Sequence, residues 1–384
     1  MSEANAGAGR IVAVTVESTE IPVVRAHQMA IGTTRQQENV IVRVHTEDGS
    51  FGVGEAPHMV GHSQEGETPG TVRVVLRDKL VPAILGANVF DQEQLTLLLN
   101  RAVPGNQRAK GALSMAAFDL AGKLLGTSVS NLLGGRVRDA IPLSWSLPIV
   151  DSDLVVRESV EMVERGWRIL KLKTGRPDPM DDVAVTKAVR AAVGDEISIR
   201  ADANMAYDAK TALRVIAGMA EHGLEFIEQP VHRDDFEGMK HVTRHAAVPV
   251  MADEAADSPE SIARIAAAGA ADYVSIYVIG TGSLLRSKRM AHIAEAFRMR
   301  AYVGGALEST IGASAGLHLA ASSPSIDLGC EMSGQFLLRD NVGTSDLELR
   351  DGALVVPDGP GLGVELDEEA IARYRVGDVE RIAA

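Results

Sequence analysis

From residue 141 onwards the chain repeats one unit. A short apolar run with β-branched residues is followed by an Ala-rich amphipathic stretch, at intervals of roughly 25–30 residues. The strand-like runs fall at 141–147, 169–174, 197–202, 226–228, 250–253, 273–276 and 301–304. Helical patterns at 180–193, 209–221, 236–245, 258–268 and 284–297 separate them. A strand reached through a helix runs parallel to its predecessor, and an even series of such units closes into a barrel whose functional groups gather at the C-terminal strand ends. An open doubly wound sheet is the competing arrangement. The evenness of the repeat and the lack of a Gly-rich phosphate loop favour the barrel.

The first part of the chain has a different texture. Residues 10–17 and 39–45 read as antiparallel strands, with a turn at Thr46-Glu-Asp-Gly-Ser50 and a continuation at Gly52-Val-Gly-Glu-Ala56. Residues 58–70 read as a loop, and 72–85, 91–100 and 109–125 as helices. Strands followed by helices suggest a compact α+β unit. The expected organisation is an N-terminal domain over 1–138, the barrel over 139–346, and a tail over 347–384 that returns to the first domain. That tail carries a hairpin around Asp351-Gly352 and a last helix over 367–374.

A net charge of −14 argues against a nucleic-acid partner or a basic membrane-seeking surface. The single cysteine, Cys330, fits a reducing cytoplasm, and no apolar stretch approaches a membrane span. The start of the chain does not read as a signal peptide.

Within the barrel, Arg168-Ile-Leu-Lys-Leu-Lys-Thr-Gly175 carries two lysines two residues apart, on one face of a strand. Burying both is costly, and is tolerated where it lowers a lysine pKa to make a general base. An edge strand with two solvated lysines is the alternative. The following strands each end in an acid: Asp202, Glu228 and Asp253. Each acid alone could be a helix N-cap, but three converging on a barrel mouth repel unless a cation neutralises them. Oxygen ligands without His or Cys point to Mg²⁺ or Mn²⁺. Glu254 reads as an N-cap or a supporting residue. Such an ion can chelate a substrate carboxylate and stabilise its enediolate while a flanking lysine moves the proton.

With these residues in place the sequence resembles the enolase superfamily, in its muconate lactonizing (muconate cycloisomerase) subgroup. The resemblance covers nearly the whole chain and rests on Gln36-Gln37, Val40-Ile-Val-Arg43, Gly52-Val-Gly-Glu-Ala56, residues 109–126 and Leu132-Leu-Gly-Gly-Arg-Val-Arg138. In the barrel it rests on Lys171-Leu-Lys173, Asp202-Ala-Asn204, Ile227-Glu-Gln-Pro230, Met251-Ala-Asp-Glu254 and Leu307-Glu-Ser-Thr-Ile-Gly312, and then on Pro360-Gly-Leu-Gly363. It implies an α/β fold: a modified TIM barrel, (β/α)₇β, under an α+β capping domain completed by the C-terminal segment. It also implies Asp202, Glu228 and Asp253 as Mg²⁺ ligands, Lys173 as principal acid/base, Lys171 as its electrostatic partner, and Glu331 as the carboxylate of the last barrel strand. Asn204, Glu308 and Met59 are the candidate substrate-contacting residues. His58 and His62 could reach the substrate from the cap loop, although solvated loop positions suit them equally. His318 reads as structural and Cys330 as an apolar filler.

One position departs from the pattern. The subgroup carries a lysine on the sixth barrel strand, where this chain has Tyr277. A neutral tyrosine is a poor base at pH 7 but can donate a hydrogen bond or a proton, and it can also simply fill space. Racemisation needs proton-transfer groups on two faces, whereas syn cycloisomerisation of a muconate-like diacid needs one. The leading expectation is therefore a Mg²⁺-dependent cycloisomerase acting on a small carboxylate or dicarboxylate, as a cytoplasmic homo-oligomer. The alternatives are a one-base dehydratase, an N-acyl amino acid or dipeptide racemase-epimerase with Tyr277 recruited, and an inactive carboxylate-binding barrel. The Arg25-Ala-His-Gln-Met-Ala-Ile-Gly-Thr-Thr34 stretch resembles muconate cycloisomerases more than dipeptide epimerases. The cap loop that begins at Pro57 does not follow their pattern.

Overall fold

The computed structural model describes residues 9–59 and 66–383; His62 lies outside them. Three antiparallel strands open the chain: β1 (Ala13–Met29), β2 (Gly32–His45) and β3 (Phe51–Met59). The β2–β3 turn is held by Asp48, whose carboxylate accepts from Thr46 Oγ1 at 2.7 Å and from the Ser50 amide at 3.1 Å. Helix Gln107–Leu125 lies across this sheet, and two glycines set its distance. A Cβ at Gly52 would stand 2.1 Å from the Ala116 carbonyl oxygen, and one at Gly54 2.1 Å from that of Ala112. Only glycine lets helix backbone approach strand backbone so closely.

Eight parallel strands follow the short β4 (Ala140–Pro142): β5 (Ser144–Leu147), β6 (Ile169–Lys173), β7 (Ser198–Asp202), β8 (Leu224–Glu228), β9 (Val250–Ala252), β10 (Tyr273–Ser275), β11 (Arg300–Val303) and β12 (Ile326–Cys330). They pair in sequence order, and a parallel bridge between Leu143 and Cys330 joins the last to the first. Seven main helices connect the eight strands, the (β/α)₇β arrangement expected. The barrel interior below the mouth is filled by Phe226, Met251, Tyr302 and Leu328. Among them Arg200 stacks on Phe226 at 4.8 Å, pairs with Glu225 at 2.8 Å and donates to the Leu328 carbonyl at 2.8 Å. This interior is packed rather than hollow, and it gives the mouth a rigid floor.

The C-terminal segment ties the two parts together. Its hairpin, β13 (Leu349–Arg350) and β14 (Ala353–Val355), pairs with β4, and β15 (Arg375–Ala383) pairs antiparallel with β1. Asp119 on the cap helix accepts from the amides of Val53 and Leu362, both at 2.8 Å, so one buried carboxylate pins cap sheet and tail to each other.

The residue pattern did not mark every element. Helix Ser152–Glu164, helix Thr310–Ser322, strand β12 and strand β15 lay outside the runs given, β1 and β2 extend through residues 18–29 and 32–38, and His58 and Met59 end β3 rather than opening a loop. Strand β12 contains Gly329 at φ +93°, whose missing side chain accommodates the Pro142 carbonyl, and a glycine in so short a run reads as a break. Strand β15 is a largely exposed edge with alternating charges, and only its pairing with β1 makes it a strand.

His318 is structural, as expected. Its Nδ1 accepts from the Ser130 amide at 3.3 Å, its Nε2 donates to the Leu362 carbonyl at 3.1 Å, and burial pushes its pKa down to about 4. The unfolded chain takes up a proton at this histidine below about pH 6.5, whereas the folded protein resists until about 4. The resulting stability is present above pH 6.5 and is lost as the pH falls towards 4. By pH 5 the loss is about 2 kcal/mol. Urea unfolding at pH 7 and pH 5 is expected to show a smaller drop for His318→Gln than for the unaltered protein.

Candidate active site

Register alone brings the charged residues together. Lys173 of β6 pairs with Asp202 of β7, Asp202 pairs with Glu228 of β8, and Glu228 pairs with Met251, two residues before Asp253. Glu331 follows β12 directly. All five β6 residues are buried, so the solvated edge-strand reading of the lysines fails. The strand ends also carry unusual backbone: Asn204, Met205, Gln229 and Leu307 all adopt positive φ. Non-glycine residues in this region are uncommon and cluster at functional sites.

The Lys171 ammonium lies among three carboxylates, 2.6 Å from Glu331, 2.9 Å from Glu228 and 3.3 Å from Asp202. Lys173 donates to Asp202 at 2.6 Å and to Asn204 Oδ1 at 3.3 Å. The expectation of a depressed lysine pKa is corrected here. Burial opposes the charge on both lysines, but the carboxylates prevail and hold both above the ordinary lysine value. Asp202 is held down at about 2, its burial outweighed by Lys173 and Lys171. Glu228 and Asp253 go the other way, raised well above the carboxylate range by burial and by neighbouring acids.

These acids need more positive charge than the chain supplies. Asp253 Oδ1 is buried without a hydrogen-bond donor. Among the described residues no three acidic, His or Cys side chains are already drawn into a ligand cage, and the cation gathered by Asp202 and Glu228 is the Lys171 ammonium. A surplus of hard oxygen donors, with Glu228 Oε2 also lacking a hydrogen bond, is the chemistry that Mg²⁺ or Mn²⁺ fits. Asn204 supports the set from behind, its Nδ2 donating to Glu254 Oε1 at 3.1 Å and its amide to Asp202 at 3.0 Å.

Tyr277 follows β10 and stands between two cavities, an inner chamber of about 30 Å³ and an outer cleft of about 480 Å³. Its ring lies on Gly304, where an added Cβ would come within 2.2 Å of it, and its hydroxyl donates to the Gly305 carbonyl at 3.1 Å. Burial, reinforced by Asp253, pushes the phenol well above its ordinary pKa. It is a neutral donor committed to a backbone carbonyl. The inner chamber holds Lys173, Asn204 and Glu331 from the barrel and Met59 from the cap. Glu308 is placed elsewhere. Its carboxylate turns back to the Ala306 amide at 2.8 Å, against Gly312 and near Glu55, and burial raises it to about 8. The residues just before it, Gly305, Ala306 and Leu307, line the chamber.

Sequence reasoning did not single out His27, Arg108, Ser146 and Ser333, which also line the chamber. His27 lies inside the stretch that carries the resemblance. Serines in or just after strands carry no local signal, because only the closed barrel decides which way they face.

An acid-and-lysine barrel mouth beneath an α+β cap defines an enolase-type enzyme. Comparison with known proteins makes this specific. Residues 11–134 match the mandelate racemase / muconate lactonizing enzyme N-terminal domain, and residues 155–370 match the enolase C-terminal domain-like family. The chain belongs to the muconate lactonizing group of the enolase superfamily. It is 36% identical over 366 residues to a chloromuconate cycloisomerase of Cupriavidus pinatubonensis, covering 95% of this chain and 99% of that one. The muconate lactonizing enzyme of Pseudomonas fluorescens, solved with muconolactone, superposes with a TM-score of 0.93 at 33% identity, covering 96% and 100% of the two chains. An N-succinyl Arg/Lys racemase from Bacillus cereus superposes with a TM-score of 0.92 at 28% identity, covering 97% and 100%. The protein is thus an isomerase of the muconate cycloisomerase type. Among the described residues no helix is long and apolar enough to cross a membrane.

Proposed function

We propose that this enzyme converts a cis,cis-muconate-like dicarboxylate into its lactone by syn addition, with Mg²⁺ or Mn²⁺ held by Asp202, Glu228 and Asp253. The observation that carries the reading is the asymmetry of the mouth. Lys173 reaches the chamber as an ammonium, while the residue at the sixth-strand position, Tyr277, has its hydroxyl engaged by Gly305. A divalent cation supplies positive charge to a substrate carboxylate as negative charge builds on it. One carboxylate of the substrate adds to the conjugated double bond, and the Lys173 ammonium delivers its proton to the carbon beside the other. Lys171, fixed by Glu331 and Glu228, keeps positive charge beneath that carbon. Proton transfer on a single face is what lactonisation needs. The racemase among the structural neighbours invites a two-face reaction, but Tyr277 is poorly suited to be its second base.

The test is direct. Purified protein with Mg²⁺ is expected to consume cis,cis-muconate, seen as loss of the diene's ultraviolet absorbance, and a chelator is expected to stop it. Full activity in the chelator would remove the metal from the reading, and no consumption would remove unsubstituted muconate.

A further inference from the structure

The inner chamber contains a polar group that the chemistry above leaves unused. Ser333 is buried, at 1% exposure, and its Oγ has no hydrogen-bond partner. It occupies the N-cap position of the short helix Gly334–Leu337, yet its side chain makes no capping bond. Ser146, at 2% exposure, lines the same chamber. The two serines belong to adjoining strand ends, each three residues beyond the Leu143–Cys330 bridge that closes the barrel.

The direction of the Ser146 hydroxyl follows from a chain of contacts that begins in the cap. Arg25 is locked by Glu158 at 2.6 Å and by the Ser146 carbonyl at 2.7 Å. Its Nη1 lies 2.9 Å from His27 Nδ1. A guanidinium has no acceptor, so Nδ1 must present its lone pair, and the proton of a neutral imidazole then sits on Nε2. Nε2 lies 3.3 Å from Ser146 Oγ, which therefore accepts, leaving the serine's own hydrogen for the chamber. His27 is 4% exposed and flanked by Arg25, so the neutral form is the one housed there.

We propose that Ser146 and Ser333 form a hydroxyl subsite for the substrate carboxylate remote from the acid cluster, with His27 as the positioning residue that aims Ser146. Buried hydroxyl groups are ordinarily paired, and an orphaned one facing a chamber that also contains Lys173 is completed by an anionic oxygen. The subsite rests on the dicarboxylate reading above, and it deepens that reading by giving the second carboxylate a place.

The experiment compares two unreactive six-carbon acids, adipate and hexanoate, by calorimetry on the full-length enzyme with Mg²⁺. The unaltered enzyme is expected to bind adipate about a hundredfold more tightly than hexanoate. Ser146→Ala and Ser333→Ala should each narrow that gap about tenfold, with hexanoate affinity moving less than about threefold. His27→Leu should behave like Ser146→Ala, whereas His27→Gln, which keeps a donor near the Nε2 position, should retain most of the gap. Nitrogen-15 NMR of His27 should place the proton on Nε2. An undiminished gap in both serine variants overturns the subsite. So does an equal loss for both acids, a proton on Nδ1, or an unaltered enzyme with no preference for adipate. Failure to turn over muconate while the gap persists would remove unsubstituted muconate as the substrate and keep the subsite.

Discussion

Lys173→Ala is expected to give a folded protein whose turnover falls by about 10²–10⁴-fold, the range of a lost general acid or base. The fold should survive because Asp202 keeps Lys171 at 3.3 Å as a second cationic neighbour. Near-unchanged circular dichroism beside lost activity would establish the point. Lys173→Arg separates charge from proton transfer, since arginine stays protonated in proteins and cannot donate usefully. It should bind the carboxylate substrate yet remain at least about a hundredfold impaired in kcat. An active Lys173→Ala enzyme would remove this residue as the acid.

Asp253→Asn is expected to act with opposite signs on two measurements. Divalent-ion affinity should fall by roughly a hundredfold, because a charged hard ligand becomes a neutral one. The metal-free protein should become more stable. Burial, Glu254 and Asp202 raise the Asp253 pKa, so at neutral pH its ionised form costs the folded state free energy that an unfolded chain does not bear. Asparagine removes that cost, so the melting temperature in a chelator should rise. Calorimetry with Mn²⁺ and thermal melting in a chelator read the two effects separately. A variant less stable in the chelator would contradict the picture of surplus negative charge.

Much of this site was legible before any coordinates. The even strand–helix repeat dictated parallel strands, and strand register then placed Lys173, Asp202 and Glu228 side by side. What stayed hidden depends on partners remote in sequence. Strand β15 is a strand only through β1, and Gly329 interrupts a run that the barrel nevertheless pairs. The lysine pKa direction was misjudged because the sequence shows two like charges side by side but not how closely the acids approach them: Glu331, legible only as the carboxylate of the last strand, stands 2.6 Å from Lys171. The fold-back of Glu308 was hidden for a similar reason. Leu307 adopts φ +58°, and the carboxylate after it turns back to the Ala306 amide.

The most direct test of one-face proton delivery by Lys173 is a proton NMR time course with cis,cis-muconate and Mg²⁺ in D₂O. Muconolactone should carry one deuterium beside the carboxylate, on the face from which the ring oxygen adds, with no deuterium in unconsumed substrate. Deuterium on the opposite face, or exchange without lactone, would contradict it.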